Sequence, residues 1–224
     1  MQEPTTNSNL ACIFDLDGVL VDTAVYHYKA WKQLANDMGF DFTEAQNEHL
    51  KGVNRMRSLD MILNWGGVEK TAEEKEVLAT SKNTQYVSMI NKMTAAEVLP
   101  GTINLLTALQ QAGIKIALGS ASKNAGVILE RTQLTHFFDA IVDGNLVSAS
   151  KPDPEVFVKG AAMVGVSPAQ SVVFEDAQAG VDAALAANMK VVGVGQPENL
   201  KGAHVYVKDL SEITVEEIKA LVKG

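Results

Sequence analysis

Four short apolar runs punctuate the chain, each ending where polar or small residues take over. Leu10-Ala11-Cys12-Ile13-Phe14 stops at Asp15; Ile114-Lys115-Ile116-Ala117-Leu118, Ser171-Val172-Val173-Phe174 and Val191-Val192-Gly193-Val194 follow the same plan. Runs this short, without strict alternation, are the mark of strands buried on both faces of a parallel sheet. Between them, residues 101–112, 123–131, 153–164 and 177–188 carry helical patterns. Strands alternating with helices of this length predict βαβ units and an α/β fold built on a doubly wound, Rossmann-like parallel sheet.

Residues 23–93 break that rhythm. Over 24–38, Val25, Tyr28, Trp31, Leu34, Ala35 and Met38 recur at steps of three and four, which makes one helix face. Residues 54–65 and 71–92 read the same way, with Gly66-Gly67 as the break between them. The α/β rhythm returns near Val98-Leu99-Pro100-Gly101. The pattern predicts two domains: a core from residues 1–22 and 94–224, and a small all-helical domain from 23–93 inserted after the first strand. The crossings near 22–24 and 94–99 are then hinges. Trp31 and Trp65 are expected to fill the core of the helical domain.

Composition narrows the partners. The balance of 19 Lys plus Arg against 27 Asp plus Glu gives a net charge of −8, with no basic stripe for a phosphate backbone. Nucleic acid and anionic membranes are therefore not expected partners, whereas a small phosphorylated substrate still fits a locally cationic pocket. No apolar run approaches the roughly 20 residues of a membrane span. The polar segment MQEPTTNSNL reads as a short frayed leader rather than a signal peptide. The single cysteine, Cys12, has no partner for an internal disulfide and lies within a strand, so it is read as inert packing in a cytoplasmic protein. His49, His136 and His204 lack metal-ligand spacing and are read as surface residues; no oligomerisation motif is present, so a monomer is expected.

Candidate chemistry gathers where the strands end. Asp15 and Asp17 stand two residues apart just past the first strand, at the sheet edge where open α/β folds bind ligands. Packing does not explain two acids there, because unpaired buried carboxylates are costly and need a cation or hydrogen-bond donors. Gly18 then allows a sharp turn. A second acidic pair, Glu175-Asp176, follows another buried strand; Lys151 precedes a helix, and Ser120-Ala121-Ser122-Lys123-Asn124 opens the next helix after the second strand. Carboxylates of this kind suit Mg²⁺ together with a substrate phosphate, and a lysine with free backbone N–H groups suits a phosphoryl group.

These residues, in this order, resemble the haloacid dehalogenase superfamily of aspartate-dependent phosphotransferases, over nearly the whole chain from about residue 10. The second aspartate is typical of its phosphatases and mutases. Tyr26-His27-Tyr28-Lys29-Ala30-Trp31-Lys32, Leu50-Lys51-Gly52-Val53-Asn54-Arg55, Lys82-Asn83 and the Ser120 to Asn124 segment look like the β-phosphoglucomutase branch, which carries a helical cap after the first motif. Departures are Asn54 where a serine is familiar, Met56-Arg57 where acidic residues are, and Gly119 before Ser120.

The resemblance implies Mg²⁺-dependent conversion of β-glucose 1-phosphate to glucose 6-phosphate through β-glucose 1,6-bisphosphate. It implies Asp15 as nucleophile and Asp17 as general acid/base. The metal falls to Asp15, the Asp17 carbonyl, Glu175 and Asp176; Lys151 with Ser120 and Ala121 neutralises the phosphoryl oxygens. Thr23 is expected to hydrogen-bond Asp17, and His27 with Lys82 to couple substrate binding to its placement. The non-reacting phosphate goes to Gly52, Val53, Asn54 and Arg55, approached by Ser122 and Asn124 from the core; Lys51 and Ser58 complete the substrate-binding set. A phosphatase using water as acceptor, and a non-catalytic phosphosugar-binding regulator, are the competing readings.

Overall fold

In the computed structural model, which describes residues 9–223, strand β1 (Ala11–Phe14) is buried along its whole length and occupies the middle of a six-stranded sheet. The other strands are β2 (Lys115–Gly119), β3 (Ala140–Val142), β4 (Ser171–Glu175), β5 (Lys190–Val194) and β6 (Val205–Val207). Their order is β3-β2-β1-β4-β5-β6 and every pairing is parallel. The chain builds outward from β1 on one side and then returns to build on the other, so a topological switch point falls between β1 and β4. Phe14 lies opposite both Leu118 and Phe174 in register, which brings the carboxyl ends of β1, β2 and β4 level.

Between β1 and β2 lie α1 (Ala24–Asp37), α2 (Glu44–Glu48), α3 (Arg55–Gly66) and α4 (Ala72–Ile90), which form a helical cap, followed by α5 (Thr102–Gln111). Helices α6 (Ala125–Arg131), α7 (Glu155–Met163), α8 (Gln178–Ala186) and α9 (Val215–Lys223) complete the chain. Alternate strand residues serve opposite faces, as the period of two requires. Cys12, Phe14, Leu118 and Phe174 pack under α5, α6 and α9, and Ile13, Ala117, Val173 and Val191 under α7 and α8. The Phe14 and Phe174 rings stack with centroids 4.4 Å apart, just beneath the site. The cap has its own cluster around Trp31, Leu34, Phe42, Leu59 and Ile62, while Ala30, Tyr86 and Ile90 join the cluster under the sheet. Asn54 caps α3 by accepting from the Arg57 N–H, and Gly67, at φ 63°, ends it in the left-handed conformation.

The four expected strands are present, and two three-residue edge strands, β3 and β6, join them. Helices α2 and α9 were not expected either. Helix α6 starts at Ala125, not at 123: the Ser120 and Ser122 hydroxyls accept the N–H groups of Ser122 and Asn124, and these local bonds hold the backbone out of the helix. Trp65 is 36% exposed, at the end of α3, rather than filling the cap core. Of the expected leader, residues 1–8 lie outside the described residues, and Leu10 is buried against the core. Among the described residues no helix is long and apolar enough to cross a membrane.

Candidate active site

Asp15 extends β1 by one hydrogen bond, from its N–H to the Phe174 carbonyl at 2.9 Å, and the chain then turns at Gly18 with φ 85°. A Cβ on Gly18 would lie 2.2 Å from an oxygen of Asp176, so glycine is what lets the loop after β1 close on the loop after β4. Asp15, Glu175 and Asp176 each offer a carboxylate oxygen, and these oxygens all lie within 4.8 Å of one another. Three hard oxygen donors at that spacing fit a hard divalent cation. Lys151 is wholly buried, with Nζ 2.5 Å from Asp15 Oδ1 and 2.9 Å from Glu175 Oε2. From the cap, Lys51 reaches Asp176 at 3.2 Å and Glu48 at 3.0 Å.

Asp17 belongs to a second set of contacts. Thr23 stands at the N-cap of α1 yet does not cap it; its hydroxyl donates to Asp17 Oδ1 instead. A threonine that forgoes a cap worth about 1 kcal/mol has another task. One turn on, His27 Nδ1 lies 3.0 Å from Lys82 Nζ. Lys82 is buried over the rings of Trp31 at 4.4 Å and Tyr86 at 4.7 Å. Trp31, expected as cap filler, is buried in that cluster and also faces the site.

A cavity of about 430 Å³ runs between the sheet edge and the cap. Its wall carries Asp15, Asp17, Thr23, His27, Lys51, Gly52, Val53, Asn54, Arg55, Ser58, Lys82, Ala121, Ser122, Asn124, Lys151 and Asp176. Ser120 and Glu175 stand behind that wall, fully buried. Asn54 Nδ2 donates to Ser150 Oγ at 3.2 Å, and Asn124 Nδ2 to Asn83 Oδ1 at 3.0 Å. With the Lys51–Asp176 pair, these bonds join cap to core around the cavity. Arg55, at the first turn of α3, has no carboxylate within ion-pair distance among the described residues. Asn47, Asn83 and Tyr86 also line the cavity and were not singled out as binding residues; their one signal was Lys82-Asn83, with Tyr86 one helical turn further on.

A family model described as haloacid dehalogenase-like hydrolase matches residues 12–194. The chain belongs to this haloacid dehalogenase-like hydrolase family. It is 45% identical to the β-phosphoglucomutase of Bacillus subtilis over 208 residues, 92% of each chain. The crystal structure of β-phosphoglucomutase from Clostridium difficile matches with a TM-score of 0.91 at 44% identity, covering 95% of this chain and 96% of that one. A phosphorylated carbohydrates phosphatase of Thermotoga maritima is 30% identical over 219 residues, 95% of this chain and 98% of its own.

Charge in this haloacid dehalogenase-like site is unevenly balanced: among the described residues Asp15, Glu175 and Asp176 share the ammoniums of Lys151 and Lys51, and Asp17 pairs with no ammonium but accepts from the Thr23 hydroxyl. Burial pushes Asp17 up to about 7, helped by the charge of Asp15 and opposed by the Thr23 bond. Burial also raises Asp176 to about 6, against the pull of Lys51, and pushes Glu175 well above the usual carboxylate range, against the pull of Lys151. Lys151 loses by burial but gains more from Asp15 and Glu175, and stays firmly protonated. A divalent cation among these carboxylates would relieve their mutual repulsion. On the cap side, burial and then the Lys82 and Arg55 charges hold His27 well below the ordinary imidazole range, so it is a neutral acceptor. Burial, then Arg55, lowers Lys82 from 10.5 to about 7.

Two measurements test this electrostatic picture. Between pH 7 and 10.5 the unfolded chain keeps a proton that native Lys82 lacks, so native stability rises with pH across that window and the burial penalty is full below it. A Lys82→Met variant should therefore melt higher than the parent at about pH 6, with the difference shrinking towards about pH 10; a difference independent of pH would contradict the lowered value. In α8, a Cβ on Gly180 would lie 2.1 Å from Glu175 Cδ. Gly180→Ala improves helix propensity by about 1 kcal/mol, yet it should displace Glu175 and weaken divalent-cation binding about tenfold by calorimetric titration. Unchanged affinity would remove Glu175 from the ligand set.

Proposed function

We propose that this chain is a mutase interconverting β-D-glucose 1-phosphate and glucose 6-phosphate through a phosphoryl group carried on Asp15 and a β-glucose 1,6-bisphosphate intermediate. The observation that carries this reading is Arg55, a guanidinium with no carboxylate at ion-pair distance among the described residues, on the wall of the cavity that also holds Asp15. A phosphatase needs one phosphate site, whereas a mutase must also hold the phosphate that is not reacting, and a planar guanidinium grips phosphate in bidentate fashion. The relatives named β-phosphoglucomutase support the same substrate.

In this reading an Asp15 oxygen attacks the phosphorus, the bond from phosphorus to the sugar oxygen breaks, and Asp17 gives that oxygen its proton. In the other half-reaction Asp17 takes the proton of the sugar hydroxyl as its oxygen attacks the aspartyl phosphate. A carboxyl held near 7 serves both directions at neutral pH. Mg²⁺, held by the carboxylates of Asp15, Glu175 and Asp176 with the carbonyl of Asp17, would supply charge neutralisation to the phosphoryl oxygens. Lys151, Ser120 and Ala121 add donors of fixed position, which is the main source of catalysis in phosphoryl transfer. Thr23 fixes Asp17. The couple of His27 and Lys82 ties Asp17 to what fills the cavity. Gly52, Val53, Asn54 and Arg55, with Lys51, Ser58, Ser122 and Asn124, hold the distal phosphate and the sugar. Residues 23–93 act as a cap moving on hinges near 22–24 and 94–99. Its closure, clasped by Asn54 to Ser150 and Asn83 to Asn124, keeps water from the aspartyl phosphate.

The test is a coupled assay with β-glucose 1-phosphate, catalytic β-glucose 1,6-bisphosphate and Mg²⁺. Glucose 6-phosphate should accumulate; steady release of inorganic phosphate without it would make the protein a phosphatase. Arg55→Ala should lower kcat/KM for β-glucose 1-phosphate by about 100-fold, the ~2.7 kcal/mol of a charge-assisted phosphate contact. It should leave p-nitrophenyl phosphate hydrolysis within about threefold, since that substrate has no distal phosphate; equal losses on both would contradict the assignment of Arg55.

A further inference from the structure

Among the described residues, one buried side-chain polar atom lacks a hydrogen-bond partner: Oη of Tyr86. Tyr86 lies on α4 one turn beyond Lys82 and is 1% exposed. Its ring packs against His27 at 4.2 Å between centroids and carries the Lys82 ammonium at 4.7 Å. Packing and the cation contact need only the ring, so phenylalanine would serve them equally. The hydroxyl is an added cost, because a buried donor without a partner forfeits its hydration and gains nothing. Such a group calls for a partner in some other arrangement of the site.

The neighbouring groups narrow that partner. Tyr86 shares the cavity wall with Thr23 and Asp17. Thr23 spends its only hydroxyl proton on Asp17 Oδ1, which leaves the oxygen lone pairs of Thr23 free to accept. Burial and the Asp17 charge push the phenol well above its usual range, against the opposing pull of the Thr23 side chain, so it remains a donor that lies close to Thr23 without completing a hydrogen bond to it. The Oη atom is closed off from solvent, so its partner comes from the protein rather than from bulk water.

We propose that Tyr86 is a positioning residue for Asp17: its phenol, unpaired here, donates to the Thr23–Asp17 pair when phosphosugar fills the cavity. A donor that is unpaired in one arrangement and bonded in another biases the site towards the second. The phenol thereby favours the arrangement in which Asp17 faces the reacting oxygen. This inference rests on the reading of Asp17 as general acid/base and adds a residue that acts through Thr23.

Tyr86→Phe removes the oxygen and keeps the ring. The variant should melt no lower than the parent, because an unpaired group has been deleted. Its kcat for β-glucose 1-phosphate should fall about tenfold with KM within about twofold. In a Thr23→Val background, the same replacement should cost less than about twofold, since the chain to Asp17 is already cut. A kcat within twofold of the parent, additive losses in the double variant, or a lowered melting temperature with kcat and KM falling together would each overturn the proposal. If the parent forms no glucose 6-phosphate, the mutase reading alone fails. The comparison is then made on phosphate release from β-glucose 1-phosphate, where Asp17 serves water and the same losses in kcat are expected.

Discussion

The Lys151 ammonium lies 2.5 Å from Asp15 and 2.9 Å from Glu175, with no exposure of its own, and the surrounding architecture exists to make that contact tolerable. Acidic side chains in an apolar sheet edge repel one another and lose hydration, so they need cations or hydrogen-bond donors brought to them by other parts of the chain. The strand order brings the ends of β1 and β4 together, Gly18 and Gly180 remove the side chains that would hold the acids apart, and Lys51 arrives from the cap. Burial, helped by the charge of Asp15, keeps Asp17 near 7, and so one arrangement of acids suits both a cation site and the proton carrier proposed for Asp17.

The cap brings a second set of polar side chains to the cavity. Thr23, just before α1, His27 from α1, and Lys82 and Tyr86 from α4 form a packed, mostly buried group beside Asp17. Their polarity costs stability: Thr23 does not cap its helix, Lys82 is a buried amine lowered to about 7 beside a neutral histidine, and Tyr86 has an unpaired hydroxyl. Costs concentrated around one carboxyl are the signature of a site selected for its chemistry rather than for its packing.

Much of the core machinery was legible in the sequence because acids that interrupt an apolar strand have no packing explanation. Asp15, Asp17, Glu175 and Asp176 could be picked out in this way, and the parallel sheet followed from the unalternated runs. Edge strands were not legible: Ala140–Val142 and Val205–Val207 have three residues each, too few for a period, and Tyr206 faces solvent. Helix α9 carries a stripe of Val215, Ile218, Leu221 and Val222 at steps of three and four that the sequence alone could have given. Ser120 to Asn124 looked like a helix start because serines often cap, but here their hydroxyls bond the backbone two residues on. Tyr86 was invisible as a site residue, since its meaning depends on α4 lying against α1, a tertiary fact that spacing along one helix does not encode.

In the proposed reaction Asp15 alone carries the phosphoryl group. The most direct measurement is a crystal structure grown with Mg²⁺ and beryllofluoride, a mimic of the phosphoryl group. It should show beryllium bonded to an Asp15 carboxylate oxygen, with Lys151 contacting a fluorine and Asp17 unmodified. Beryllium bonded to Asp17, or an Asp15 carboxylate left unmodified at saturating beryllofluoride, would contradict it.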